Sequence, residues 1–511
     1  MSDGAPIRLA TAPASAGHGP PLRLERRLTP GLKAEWLVAV GVLLSAVLIG
    51  GASTLDYRAA LGACLVASFV AAIWVWPVLG AYVLIVATPL TAGIDRGLAI
   101  PVFRPSEALA LLIGGTLVAR GLTRLRTGHL PRLRLSRVEL SIMLLAVTSS
   151  FVPLLWMLAR QRDIGQDDIL YALVMWKFLG IYVIVRACVT ADRQVRRCLW
   201  ASVAVACPVA LIALLQSLQI GGVEHLLAPL YSPFGHTGAL QHARGSSTLA
   251  LPAATADLLI YNLAIAAGLW LRYRQHARML TLAAMLFVLG VISSGEFSSA
   301  LGLFIGVVCI AAVTGNPRLL ALFVPAMAIA AAVLRPVIGR RLSGFQSASG
   351  LPVSWTGRLD NLRTYFWPKL SSDWNFLLGV RPSARVPVAS QATGFVWIES
   401  GYMWLLWGGG IPLLASFVFF VLSAATMAWR AARRSPAAAS AAGVAAFVAV
   451  IVTTILMVFD PHLTYRGSAD LLFFLIALAA PRTGRASGVE RSARRQAGKA
   501  PGSIRETGVE V

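Results

Sequence analysis

The chain has 511 residues, 57 % of them hydrophobic and only 13 % charged, with a formal net charge of +23. That charged share is about half of what a soluble globular protein carries, so most of the chain must face lipid. The composition excludes a soluble enzyme, a secreted disulfide scaffold, a disordered chain and a nucleic-acid-binding domain.

Residues 1–33 are rich in Pro, Gly, Ala and Arg without an apolar face, and read as a retained, disordered tail. Apolar spans follow at about 35–53, 59–76, 77–93, 105–120, 138–158, 168–189, 198–218, 249–271, 279–293, 298–315, 319–334, 399–424, 436–458 and 467–480. They must be helices, because open sheet edges do not persist in hydrocarbon. The fold class expected is therefore all-α: a polytopic helical membrane protein of 12–14 spans. One membrane domain, 34–480, is expected between two tails, the second being 481–511.

An even number of spans puts both tails on one side. If that side is the cytoplasm, inside segments hold 28 Lys and Arg and outside segments fifteen, eight of which sit in one 64-residue loop, 335–398. Short outside loops are thus poor in basic residues, as the positive-inside rule requires. Five cysteines lie in or beside spans with no CxxC and no His at ligand spacing, so no disulfide framework or zinc site is implied.

Three outside segments are not generic connectors. Segment 219–248 contains His225, His236, His242 and Arg244. Loop 335–398 carries seven Arg and one Lys against Asp360 and Asp373. Scattered solvated arginines would explain it as well as an anionic ligand, but Arg has a planar fork that grips two phosphate oxygens at once. The third segment, GFVWIESGYMWLLWGGGIPLL (394–414), places Glu399 where water gives way to lipid. Tyr402, Trp404 and Trp407 read first as interfacial anchors. Glu399 reads either as a base for a sugar hydroxyl or as a structural ion-pair partner. Gly408, Gly409 and Gly410 favour a bend or close packing over phosphate binding.

Ionisable groups inside spans are expensive and therefore informative. Glu107, Lys177 and Asp257 are the clearest, with helix pairing the plainest explanation. Asp470 and Arg186 lie near span ends and receive no role. No Walker, Rossmann, HExxH, GxSxG or DxD-like pattern occurs.

In the order of its short signatures the chain resembles the bacterial O-antigen ligase and O-antigen polymerase superfamily. The signatures are FRPSEALALL, RGSSTLALPAATADLLIYN, SSGEFSSALGLFIGVV, GRLDNLRTYFWPKL, NFLLGV and ESGYMWLLWGGGIPLL, together covering about 100–425. The resemblance implies a glycosyltransferase in the bacterial plasma membrane, with one large extracytoplasmic loop and both termini cytoplasmic. It would take a glycan from an undecaprenyl diphosphate carrier and join it to an acceptor glycan, without metal, cofactor or nucleotide-sugar, alongside other polysaccharide assembly proteins and the lipid bilayer. It assigns Arg244 and Arg358 to the diphosphate, with Arg363 and Arg381 as further candidates, and adds His242 and Tyr402 to substrate binding. Two departures stand out. Glu399-Ser400 occupies the place of a His-Asn pair, making Glu399 the expected base, and Glu296-Phe297 occupies the place of Ser-Arg. A polymerase is the reading taken. Its rivals are a ligase with a different acceptor, a secondary transporter or lipid flippase, and a noncatalytic assembly subunit.

Overall fold

The computed structural model describes residues 57–126, 135–231, 244–342, 353–388, 394–435 and 437–481. The first apolar span (35–53), the tails 1–33 and 482–511, and His236 and His242 lie outside the described residues. The chain divides into two compact units, residues 1–71 and 72–511. Of the first, the described residues form most of helix α1 (Tyr57–Val75).

The second unit continues with α2 (Val78–Thr91), α3 (Pro105–Arg126), α4 (Arg137–Ala159) and α5 (Gln166–Cys188). Next come α6 (Asp192–Ser217), α7 (Pro252–Arg272), α8 (Ala277–Ser293), α9 (Phe297–Thr314) and α10 (Arg318–Val333). The last are α11 (Gly401–Arg434), α12 (Ala437–Leu456) and α13 (Ser468–Ala479). Among the described residues nine helices are long and apolar enough to cross a membrane, which makes this a helical, multi-pass membrane protein. Four shorter apolar helices lie within α1, α2, α10 and α13.

Local sequence explains the helix ends. Ser136 opens α4 with a capping box: its hydroxyl accepts from the Glu139 amide while its own amide donates to Oε2 of Glu139 at 2.7 Å. Pro252 starts α7, where a missing N–H is harmless. The 34 residues of α11 would measure about 51 Å, too long for a bilayer core of about 30 Å. The helix is broken at Gly410 (φ +64°), whose missing side chain also lets the carbonyl of Leu377 approach; a Cβ there would lie 2.3 Å from that oxygen. The glycine run thus provides the bend and the close packing, leaving about 24 residues to span.

Burial separates core helices from peripheral ones. In α7 and α12, 83 % and 78 % of the most apolar stretch is buried, against 17 % in α3. The sequence of α7 is mostly apolar around the helix, as one surrounded by others requires, and its buried polar groups Thr255, Asp257 and Asn262 are each hydrogen-bonded. Ala-rich α12 packs against α7 and α11, and the backbone of α11 comes so near that a Cβ on Gly443 would lie 2.4 Å from the Ala432 amide nitrogen.

Connections fall into two groups that touch internally. One group joins Asp95 to Arg466, Arg160 to Asn375, Asp168 to Arg381, Arg244 to Glu296 and Arg358 to Asp460. The other joins Arg186 to the carbonyls of Ala480 and Pro481, Asp192 to the Ala439 amide, and Arg272 to Ser440. The first group is called the loop end below. It also carries a short antiparallel ribbon, Arg385–Pro387 with Phe395–Trp397, in register Val386 to Val396. The ribbon lies outside the apolar helices, where water can satisfy its edges.

The three charges inside spans do not pair with each other: Lys177 and Asp257 meet groups far along the chain, and Glu107 meets arginines just before its own helix. Lys177 Nζ lies 2.7 Å from Asp470, the residue to which sequence reasoning assigned no role. Glu107 accepts from Arg96 at 2.9 Å and from Arg104 at 3.2 Å. Replacing Lys177 by Met leaves Asp470 buried without a counter-charge, and is expected to lower stability by about 3 kcal/mol. Lys177→Met combined with Asp470→Asn should recover most of that loss in thermal unfolding of detergent-solubilised protein. A single variant that melts with the wild type would show that the pair contributes nothing.

Candidate functional site

At the loop end, the start of α11 is tied to the end of α12. The Gly401 amide donates to the Met457 carbonyl at 2.7 Å, and Ser400 caps α11 by accepting from the Met403 amide. This tie sets Glu399, just before α11, close to Asp460, just after α12. Above them the short helix Val353–Asn361 supplies Arg358, and a π-turn at Leu362–Phe366 leads into Trp367–Ser371. The burial of Phe366 against Trp407, ring centroids 5.2 Å apart, holds this loop on the first half of α11. The Trp407 indole donates to the Ser383 carbonyl, and the Val380 amide donates to the Trp407 carbonyl.

Arg358 sits at the centre. Its Nη1 is 3.0 Å from Asp460 and 3.3 Å from the Phe459 carbonyl oxygen, and its Nε is 3.7 Å from Glu399. Glu296, in the turn between α8 and α9, contributes to the electrostatic field at Arg358, Glu399, Asp460 and His462. Glu296 is also 3.8 Å from Arg244. Two arginines and three carboxylates from four stretches of chain therefore form one cluster. Burial pushes the Glu399 and Asp460 carboxyls up from the ordinary carboxylate range, and Arg358 only partly opposes it. Glu399, with its side chain about one-third exposed, remains reachable, whereas Asp460 is nearly enclosed. Arg244 is the looser of the two guanidinium groups, with 42 % of its side chain exposed.

Behind the cluster lies a fully buried dyad. His462 Nδ1 is 2.7 Å from Oδ2 of Asp257 in α7, and both side chains have no exposure. Burial disfavours the charged imidazole, but Asp257 outweighs it and raises the His462 pKa above its ordinary 6.5. Nε2 of His462 and Oδ1 of Asp257 have no hydrogen-bond partner among the described residues. A ring without exposure cannot meet a bulky acceptor, so the dyad positions the 460–465 turn rather than the substrate.

Of the residues singled out from sequence, Arg244, Arg358 and Glu399 come together, joined through Glu296. Arg381 does not join them: its guanidinium grips Asp168 with two hydrogen bonds, Nε at 2.8 Å and Nη2 at 2.5 Å, pinning the loop to the start of α5. Arg363 lies exposed in the π-turn, outside the cluster's ion pairs. The Tyr402 hydroxyl donates to the Thr454 carbonyl at 2.9 Å, joining α11 to α12. His242 lies outside the described residues. Sequence reasoning missed Asp460 and His462, although Asp-Pro-His directly after an apolar span was an available signal. Glu296 entered it only as a departure from a pattern.

No protein-family model and no curated protein matches the chain.

Proposed function

We propose that this protein is a membrane glycosyltransferase of the O-antigen ligase and polymerase type. It would extend a glycan on the outer face of the bacterial plasma membrane from repeat units carried on undecaprenyl diphosphate. The loop end would be extracytoplasmic, with 335–398 as its large loop and both termini in the cytoplasm. The observation that supports this reading best is the gathering of Arg244, Arg358 and Glu399, two cationic forks and a partly exposed carboxylate, at the end of the bundle poor in short basic loops.

In the reaction, Glu399 takes the proton of the acceptor hydroxyl as its oxygen attacks the anomeric carbon and the bond from that carbon to the diphosphate oxygen breaks. The electron pair leaves with the diphosphate, and Arg244 and Arg358 stabilise the growing negative charge. A guanidinium has five N–H donors, more than Arg358 spends on Asp460 and Phe459. Arg244, loosely held at 3.8 Å from Glu296, can turn to a phosphate oxygen.

Glu399→Gln is expected to abolish chain growth in cells while the protein still accumulates in the membrane. A base must be ionised, so the wild-type rate should rise with pH through an apparent pKa above the ordinary 4.5 of a glutamate. Normal turnover by the glutamine variant, measured on purified lipid-linked repeat units, would remove the base. The glycan phenotype of a deletion strain separates the nearest rivals: single lipid-linked repeat units mark a polymerase, and long lipid-linked chains mark a ligase. Uptake or flipping by purified protein in liposomes, driven by a proton gradient, would favour a transporter.

A further inference from the structure

At the end opposite the loop end, a cavity of about 420 Å³ lies between the start of α6 and the turn from α7 to α8. Its lining is Arg196 and Trp200 of α6, Tyr273, Gln275 and His276 of the turn, and Met279 of the first turn of α8. Among the described residues no carboxylate lines it. The Arg196 guanidinium lies over the Tyr273 ring, 5.6 Å from its centroid, and the His276 ring meets the Trp200 ring edge-to-face at 5.2 Å. These contacts brace the walls, but neither supplies a negative charge.

The carboxylates that could answer Arg196 are engaged elsewhere. Asp192 precedes it by four residues, the spacing at which an acid and a base pair along a helix. It accepts instead from the Ala439 amide at 3.1 Å and ties α6 to α12. Glu139, on the same end of the bundle, caps α4. Arg193 and Arg197 share the first two turns of α6 with Arg196, and Arg278 lies in the first turn of α8. The dipole of a helix is positive at its start, so it gives these arginines no support, unlike Arg272 and Arg433 in the last turns of α7 and α11. An anion from outside the chain is the partner this end lacks.

We propose that this cavity holds the phosphate of an anionic phospholipid, gripped by the Arg196 fork. Height and rim argue for a lipid over free phosphate. Trp200, Tyr273 and Trp270, the last with Arg274 stacked on it at 4.8 Å, mark the level at which headgroups lie. Below them on α8, Met279 and Leu282 are 55 % and 71 % exposed and offer an apolar path for the tails. The missing carboxylate gives selectivity. The ammonium of a zwitterionic lipid would meet Arg196 and no anion, whereas the hydroxyls of a glycerol head find donors and acceptors in Gln275 and His276. The site takes no part in the loop-end chemistry, and its reading does not depend on the proposed function.

The test is binding, measured apart from any turnover. Full-length protein in detergent is titrated with phosphatidylglycerol, phosphatidylethanolamine or inorganic phosphate and followed by native mass spectrometry and thermal shift. Phosphatidylglycerol is expected to bind and to raise the melting temperature, and phosphatidylethanolamine to bind about tenfold more weakly. Arg196→Gln should weaken phosphatidylglycerol by about tenfold, the size of one charge-assisted hydrogen bond. Gln275→Trp, which fills the cavity and keeps every arginine, should weaken it comparably and decides alone if the first variant fails to accumulate. Arg430→Gln removes an exposed arginine of α11 outside the cavity and should leave the affinity unchanged. Equal binding of phosphatidylethanolamine would overturn the anionic headgroup, and equal protection by inorganic phosphate would overturn the lipid. A loss in Arg430→Gln as large as that in Arg196→Gln would reduce the effect to general surface charge and overturn the site. Unchanged affinity in both Arg196→Gln and Gln275→Trp would overturn it as well.

Discussion

Arg358→Gln is expected to stop chain growth, with a fall of about 10²–10³-fold in turnover from the loss of one preorganised donor set. The size follows from position. Arg358 contacts Asp460 and Glu399 and shares the field of Glu296, so its removal leaves Arg244 alone against three carboxylates. Those carboxylates then repel one another and hold their protons more tightly, which also disables Glu399 as a base at neutral pH. Breaking the ion pair is expected to lower stability by about 3 kcal/mol, the low end of the range for a buried pair, because Arg358 is partly exposed. Arg358→Lys separates the two effects. It keeps the charge and so most of the stability, but loses the planar fork and so most of the turnover. Both quantities can be read on the same preparation, as melting temperature and as product length on a gel. A glutamine variant that accumulates normally and extends chains at the wild-type rate would remove Arg358 from the chemistry.

The second large effect is predicted for the buried dyad. His462→Ala leaves Asp257 enclosed with no counter-charge, and is expected to cost about 3–5 kcal/mol and to reduce accumulation in the membrane. The sign of the pH dependence follows from the raised His462 pKa. The folded protein holds this proton more tightly than the unfolded chain does. The stabilisation is therefore complete below pH 6.5, the ordinary value, and is lost as pH rises through the higher folded value. Asp460 and Glu399 act in the same direction from lower pH, since burial raises them too. The melting temperature of solubilised protein should accordingly decline as pH rises from 6 to 9 on the order of a few degrees per kcal/mol lost. Asp257→Asn should flatten that decline, because the His462 ring then loses its hydrogen-bonded carboxylate and keeps only the weaker pull of Asp460 and Glu296 on its proton. A melting temperature that stays level across this range in the wild type would show that the dyad carries no extra proton.

Much of the architecture was legible along the chain. Thirteen of the apolar spans expected from sequence correspond to helices α1–α13, usually within a few residues at each end. Hydropathy is a local property: about twenty apolar residues have nowhere to go but into lipid, and their backbone must then close its own hydrogen bonds. The glycine run 408–410 was read as allowing a bend or close packing, and Gly410 provides both, the 34-residue length of α11 being visible only in the structure. Connections grouped by counting spans are also the ones that touch at each end of the bundle.

What stayed hidden was which charge meets which. Lys177, Glu107 and Asp257 could be picked out as expensive, but their partners are Asp470, Arg96 with Arg104, and His462. Asp257 and His462 are 205 residues apart, and Arg381 and Asp168 are 213. No periodicity or spacing connects such positions. The energetic demand that a buried charge be paired is written in each span, whereas the choice of partner depends on how α7, α11 and α12 pack. Arg381 shows the consequence: its residue type suited a phosphate, yet packing delivered Asp168 to it first. Glu399 was visible as a carboxylate beside lipid, whereas Arg244 and Arg358 stood out from the other outside arginines only by resemblance; packing joins them, since the Gly401–Met457 bond sets Glu399 beside Asp460, Arg358 reaches both, and Arg244 approaches Glu296.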